Sequence, residues 1–142
     1  MKGFTLIEIS LVMAFTTLIL IFTVPATLRF IGSQNLSETA SALVSSLRQA
    51  HNQAVFQKND SSFGVKFLPT SYIVFQGSSY ASRTTSQDIT IPLSGDITLS
   101  GISEIVFTKR TGLPSTTGTI LIQSSSKSLS VSINQQGIIE NI

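Results

Sequence analysis

Residues 4–31 form an almost unbroken apolar run, and that run decides most of what the chain can fold into. Its only ionisable side chains are Glu8 and Arg29. About 20 apolar residues in a helix cross a bilayer core of roughly 30 Å, and in that core only a helix satisfies its own backbone. The run is therefore read as a transmembrane helix over 4–31. A secretory signal has a shorter apolar core that ends at a small-residue cleavage site. Here the run continues through Pro25-Ala26-Thr27-Leu28 into more apolar sequence. Lys2 and the amino terminus place positive charge ahead of the run. Arg29 beyond it weakens that bias without reversing it, so an N-in orientation is expected, with the rest of the chain outside the cytoplasm. Pro25 removes one helical hydrogen bond and is expected to kink or loosen the helix.

Glu8 is the informative residue in this stretch. A carboxylate in a membrane segment costs about 2.5–3.5 kcal/mol on insertion scales and usually has a partner. Either it sits at headgroup depth, or it pairs with a positive group inside an assembly.

The residues Gly3-Phe4-Thr5-Leu6-Ile7-Glu8 resemble the class III signal of type IV pilins and type II secretion pseudopilins. The resemblance implies a leader, residues 1–3, removed by a prepilin peptidase that cuts between Gly3 and Phe4 and methylates the new N-terminal Phe4. It also implies that Glu8 neutralises the N-terminal amine of a neighbouring subunit. A buried carboxylate is tolerable in an apolar filament core when it is paired.

Beyond residue 31 the period changes. Leu36, Ala40, Leu43, Val44, Leu47, Ala50, Ala54 and Val55 recur at spacings of three and four, so the helix is expected to continue, now amphipathic, to about Gln57. Residues 32–60 are read as this continuation, closed by Lys58-Asn59-Asp60. His51 has no second imidazole and no cysteine to complete a metal site, and reads as a packing residue.

From residue 61 the pattern is β. Phe63, Val65 and Phe67 alternate with Gly64 and Lys66, and Tyr72, Val74 and Gln76 alternate with Ile73 and Phe75, giving a hairpin across Pro69-Thr70-Ser71. Residues 77–87 are rich in Ser and Thr and read as an exposed loop. Short strands follow at 88–93, 97–99 and 105–107, then a loop at 109–118. A hairpin over 119–123 and 128–133 comes next, and Asn134-Gln135-Gln136-Gly137 turns the chain into a last strand at Ile138-Ile139. The fold class expected is α+β: a long N-terminal transmembrane and amphipathic helix followed by a small antiparallel β-sheet domain, residues 61–142. The succession Ile105-Val106-Phe107, Gly112-Leu113-Pro114, Gly118-Thr119-Ile120, Val131-Ser132-Ile133 and Gly137 is similar to the C-terminal region of GspH/FimT-type minor pseudopilins.

Chemistry is sparse. Charged residues make up 11% of the 142, formal net charge is +2, and cysteine is absent. That excludes a disulfide framework, a thiolate metal site and a strong general pull on nucleic acid. The carboxylates are scattered, with no phosphate loop, no nucleophile elbow and no calcium loop, so neither catalysis nor a cofactor is expected.

The pilin resemblance implies a structural subunit of a type II secretion pseudopilus or type IV pilus-like filament, at or near its tip. Its implied partners are other pilin subunits, the prepilin peptidase, the inner-membrane assembly platform and, before assembly, membrane lipid. The alternative is a DNA-binding minor pilin for natural transformation. Some FimT-like proteins bind DNA through basic residues near the final glycine turn, but here Gln135-Gln136-Gly137-Ile138-Ile139-Glu140 carries none. Lys109, Arg110 and Lys127 would have to converge instead. A third reading, a plain membrane-anchored β domain, leaves the Gly3-to-Glu8 signature unexplained.

Overall fold

The computed structural model describes residues 3–125 and 127–141, without the side chains at 24–26, 28, 29 and 141. Helix α1 spans Leu6–Val55, 50 residues, which at 1.5 Å per residue is about 75 Å. Thr5 starts it: its backbone is extended, and its side chain accepts a hydrogen bond from the Glu8 amide at 3.4 Å. Hydroxyls along the apolar half are satisfied within the helix, with Ser10 donating to the Leu6 carbonyl, Thr17 to Met13 and Thr23 to Ile19. The helical assignment is continuous to Val55. The kink expected at Pro25, like the charges of Lys2 and Arg29, falls outside the described residues and side chains.

The second half of α1 buries one stripe: Leu36, Ala40, Leu43, Leu47, Ala50 and Ala54 are almost fully removed from water. The helix ends at Val55, two residues short of the expected Gln57. There the Ala54 carbonyl accepts both the Gln57 amide (3.1 Å) and the Arg110 amide (3.0 Å), and Gln57 turns to a positive φ of 53°. A short 3-10 turn, Lys58–Asp60, leads into the β domain.

That domain resolves into two four-stranded antiparallel sheets. The first contains β1 (Phe63–Leu68), β2 (Ser71–Gln76), β3 (Ile89–Pro92) and β5 (Glu104–Phe107), in the order β3-β2-β1-β5. The second contains β4 (Thr98–Gly101), β6 (Gly118–Gln123), β7 (Ser128–Ile133) and β8 (Ile139–Asn141), in the order β4-β6-β7-β8. The chain crosses between sheets after Pro92, through a turn in which the Ile97 amide bonds the Ser94 carbonyl. Helix α1 lies mainly against β1, β7 and β8. Phe63, Val65 and Phe67 of β1 join Val131 and Ile133 of β7 and the helix stripe in one core.

The strand edges are closed. The Leu93 amide bonds the Thr70 carbonyl, so ladder alternation places Pro92, opposite Ser71, at a non-hydrogen-bonded position where its missing N–H faces outward. On the far edge of the same sheet, the Val106 carbonyl accepts the Ser115 amide at 2.7 Å. In the second sheet the Leu99 amide on β4 bonds the Pro69 carbonyl, and Arg48 on α1 donates to the Ile139 carbonyl on β8.

Residues 77–87 are largely exposed, as expected of a loop, but they also act as a strap. β2 is apolar on both faces: Tyr72 and Val74 enter the main core, while Ile73 and Phe75 are buried on the other side. Something must cover that second face, and the strap does. Tyr80 meets Phe75 edge-on at 5.6 Å, and its amide bonds the Glu104 carboxylate at 2.8 Å. Arg83 lies over the Tyr80 ring at 3.8 Å and bonds Asp88 at 2.7 Å. The hydrogen bond to Asp88 holds the guanidinium pKa above its ordinary value.

The glycines shared with the GspH/FimT pattern acquire a physical reason. His51 packs edge-on against Phe107 at 5.3 Å, and Gly112 and Gly137 close over its imidazole. A Cβ on Gly112 would lie 2.5 Å from His51 Nε2, and one on Gly137 would lie 2.9 Å from the Gly112 carbonyl oxygen. Both glycines have positive φ, 66° and 79°. Asn134 sets the second turn, its side-chain oxygen accepting the Gln136 and Ile138 amides.

Two outcomes follow for the detergent-solubilised full chain. Gly112→Ala combines a left-handed backbone with a steric clash and is expected to cost about 2 kcal/mol or more. That would lower the melting temperature by roughly 10 °C. An unchanged melting curve would mean that His51 yields freely. Arg83→Ala is expected to speed hydrogen exchange at the Tyr80 and Thr84 amides while the β1 and β2 amides stay protected. Equal rates at all of them would show that the Tyr80–Phe75 contact alone holds the strap.

Candidate assembly interface

The sequence-derived site residues cluster at the start of α1. Gly3 stands in open space, with no atom within 4 Å of the position a Cβ would take. Nothing in this chain's own packing requires glycine there. Phe4 is 79% exposed and lies just ahead of the Thr5 cap. Glu8 occupies the first turn, where the helix dipole favours a carboxylate. With Phe4, Ile9, Val12 and Met13 it lines a shallow groove of about 360 Å³. No described cation lies within ion-pair distance of Glu8.

The surface beyond it is the dominant feature of the molecule. The segment Leu6–Thr23 has mean hydropathy 2.2, and none of it is buried. It is long and apolar enough to cross a membrane. In water so large an apolar face has no covering within the chain, so bilayer or other helices must supply it.

The basic residues do not gather. Lys109 is held by Asp60 at 2.8 Å. Arg110 follows it with φ 73°, its amide closing the end of α1. Lys127 sits in the turn joining β6 to β7, beyond the Gln123–Ser128 pair. The far end of that hairpin, Gly118 opposite Ile133, leads toward Gly137 and His51 near Arg110. A six-residue strand, roughly 20 Å, therefore separates Lys127 from the other two. Among the described residues no group of three His, Asp or Glu side chains could hold a metal ion. Phe56, which follows α1 and is 81% exposed, has no role in the residue pattern.

The fold is similar to solved structures of a minor pseudopilin, EpsH, from the type 2 secretion system of Vibrio cholerae. One aligns with TM-score 0.61 at 13% identity, covering 76% of this chain and 96% of that one. A second aligns with TM-score 0.61 at 12% identity, covering 77% and 94%. At that identity the likeness speaks for the fold. No curated protein sequence matches the chain. The family described as type II transport protein GspH matches residues 39–137. That match takes in the last third of α1, both sheets up to β7 and the turn over His51, and by it the chain belongs to the GspH family.

Proposed function

We propose that this chain is a minor pseudopilin that is built through α1 into the filament of a type II secretion system. The observation that carries the reading is the fully exposed apolar segment Leu6–Thr23, with a lone carboxylate at its start and a GspH domain at its end. Before assembly the segment spans the inner membrane with its N-terminus in the cytoplasm, and the β domain lies outside. The prepilin peptidase cuts between Gly3 and Phe4 and methylates Phe4. The open surroundings of Gly3 support this, since the glycine then serves the enzyme's cleft rather than the fold. In the filament Glu8 pairs with the amine of a neighbour's Phe4, so both charges leave the bilayer paired. The assembly platform and sister pseudopilins are the partners, and the role is structural.

Glu8→Ala is expected to leave processing intact and to deplete the chain from sheared filaments. Intact-mass measurement would report a mature chain starting at Phe4 and one methyl group heavier. Normal incorporation of the variant would remove the pairing role.

The DNA-uptake reading loses its support because Lys109 is neutralised by Asp60 and Lys127 lies at the other end of the hairpin. A titration of the detergent-solubilised chain with duplex DNA at low salt is expected to show no salt-sensitive binding. Micromolar affinity falling steeply with salt would restore that reading.

A further inference from the structure

The Gly3–Phe4 bond lies just outside the helix. Residues 3–5 belong to no helix or strand, and α1 begins at Leu6. Only Phe4 and Thr5 separate that bond from the first turn. Thr5 fixes the boundary. Its backbone is extended, with φ −82° and ψ 151°, and its Oγ1 accepts the Glu8 amide at 3.4 Å. Its carbonyl accepts the Glu8 and Ile9 amides at 3.1 and 3.3 Å. Phe4 and Ile9 flank the cap at the two positions where an apolar pair sets the angle of the entering chain. Both line the same shallow groove.

We propose that Thr5 is a positioning residue for the prepilin peptidase: its cap holds the Gly3–Phe4 bond outside α1, where the enzyme can reach it. This role rests on the processing reading above. Hydrolysis adds one water across the bond and leaves a carboxylate on Gly3 and an ammonium group on Phe4. A catalytic cleft must close around the bond it cuts. A helix with its side chains is about 10–12 Å across, too wide for a cleft that takes a single extended strand.

Apolar surroundings press the helix to lengthen. An amide without a partner is costly there, and another turn would supply partners. Gly3 is the next residue backward that caps well. Without Thr5 Oγ1 the helix would run back to Gly3 and take the scissile bond into its first turn. The cap uses the Glu8 amide and not its carboxylate, so Glu8→Ala keeps it, in line with the intact processing expected of that variant. Thr5 is also remote from the folded domain. The stripe that packs on the sheets begins at Leu36, about 45 Å along α1.

The uncut full chain, purified in detergent from cells lacking the peptidase, is mixed with purified prepilin peptidase, and cleavage is followed by intact mass. Thr5→Val keeps the shape of threonine and removes the acceptor. An enzyme that binds only chains with the bond outside the helix shows a KM that rises as their fraction falls, at constant kcat. Thr5→Val is expected to raise KM about fivefold, the shift that a lost cap produces. Thr5→Ser and Thr5→Asn, each able to cap, are expected to keep the wild-type KM. The Phe4 Cα chemical shift of the uncut chain is expected to be non-helical, and to move toward helical values in Thr5→Val. An unchanged KM for Thr5→Val would overturn the positioning role. So would Thr5→Asn cut as poorly as Thr5→Val, since the enzyme would then read threonine itself. A helical Phe4 shift in the wild-type chain would overturn it as well. A wild-type chain left uncut between Gly3 and Phe4 would instead overturn the processing reading, and the role of Thr5 with it.

Discussion

Leu36, Leu43 and Leu47 are almost wholly removed from water where α1 lies across the inner faces of both sheets. Each contributes about 1.5–3 kcal/mol by leaving water. The sheets themselves consist of strands of three to six residues. They touch directly through a backbone bond from the Leu99 amide of β4 to the Pro69 carbonyl in the turn between β1 and β2. What makes them one domain is the stripe they share. The fold is thus tied to the same helix that carries the membrane segment, and a displacement of α1 would open the core along its length.

That helix has two solvents. From Leu36 onward its apolar face is satisfied inside the chain, while over Leu6–Thr23 it is not satisfied at all. The hydroxyls of the exposed half turn inward to their own helix's carbonyls, which removes the polar obstacle to an apolar environment. Thr5 and Glu8 put the polar atoms of this half at its start. One continuous rod therefore joins the exposed and buried parts, with no flexible connection described between them.

The helix and the hairpins were legible because their periods were clean. The stripe from Leu36 to Ala54 and the alternations in β1, β2, β6 and β7 all appear where the residues indicated. Assignment of β3 and β4 to different sheets was not legible, since each has four residues and nothing local distinguishes the partner it selects. The strap was hidden by its Ser and Thr content. The signal that could have found it was Ile73 and Phe75 on the second face of β2, which demand a cover. At the N-terminus, the three-residue step from Thr5 to Glu8 was read only for charge, although it also marks where the helix is capped. The separation of Lys127 from Lys109 and Arg110 depends on hairpin direction, which residue spacing does not carry.

The closed strand edges have a consequence for crowding. Subunits of a filament would be held at enormous local concentration, far above that at which bare β edges zip together into unwanted cross-sheet aggregates. Here Pro92, the Ser115 segment, the Pro69 turn and Arg48 each occupy one edge. Neighbouring domains can be pressed side by side without fusing their sheets, which leaves adhesion to surfaces that can be peeled apart again. A fibre made of such units would be able to grow and be dismantled with the same folded parts.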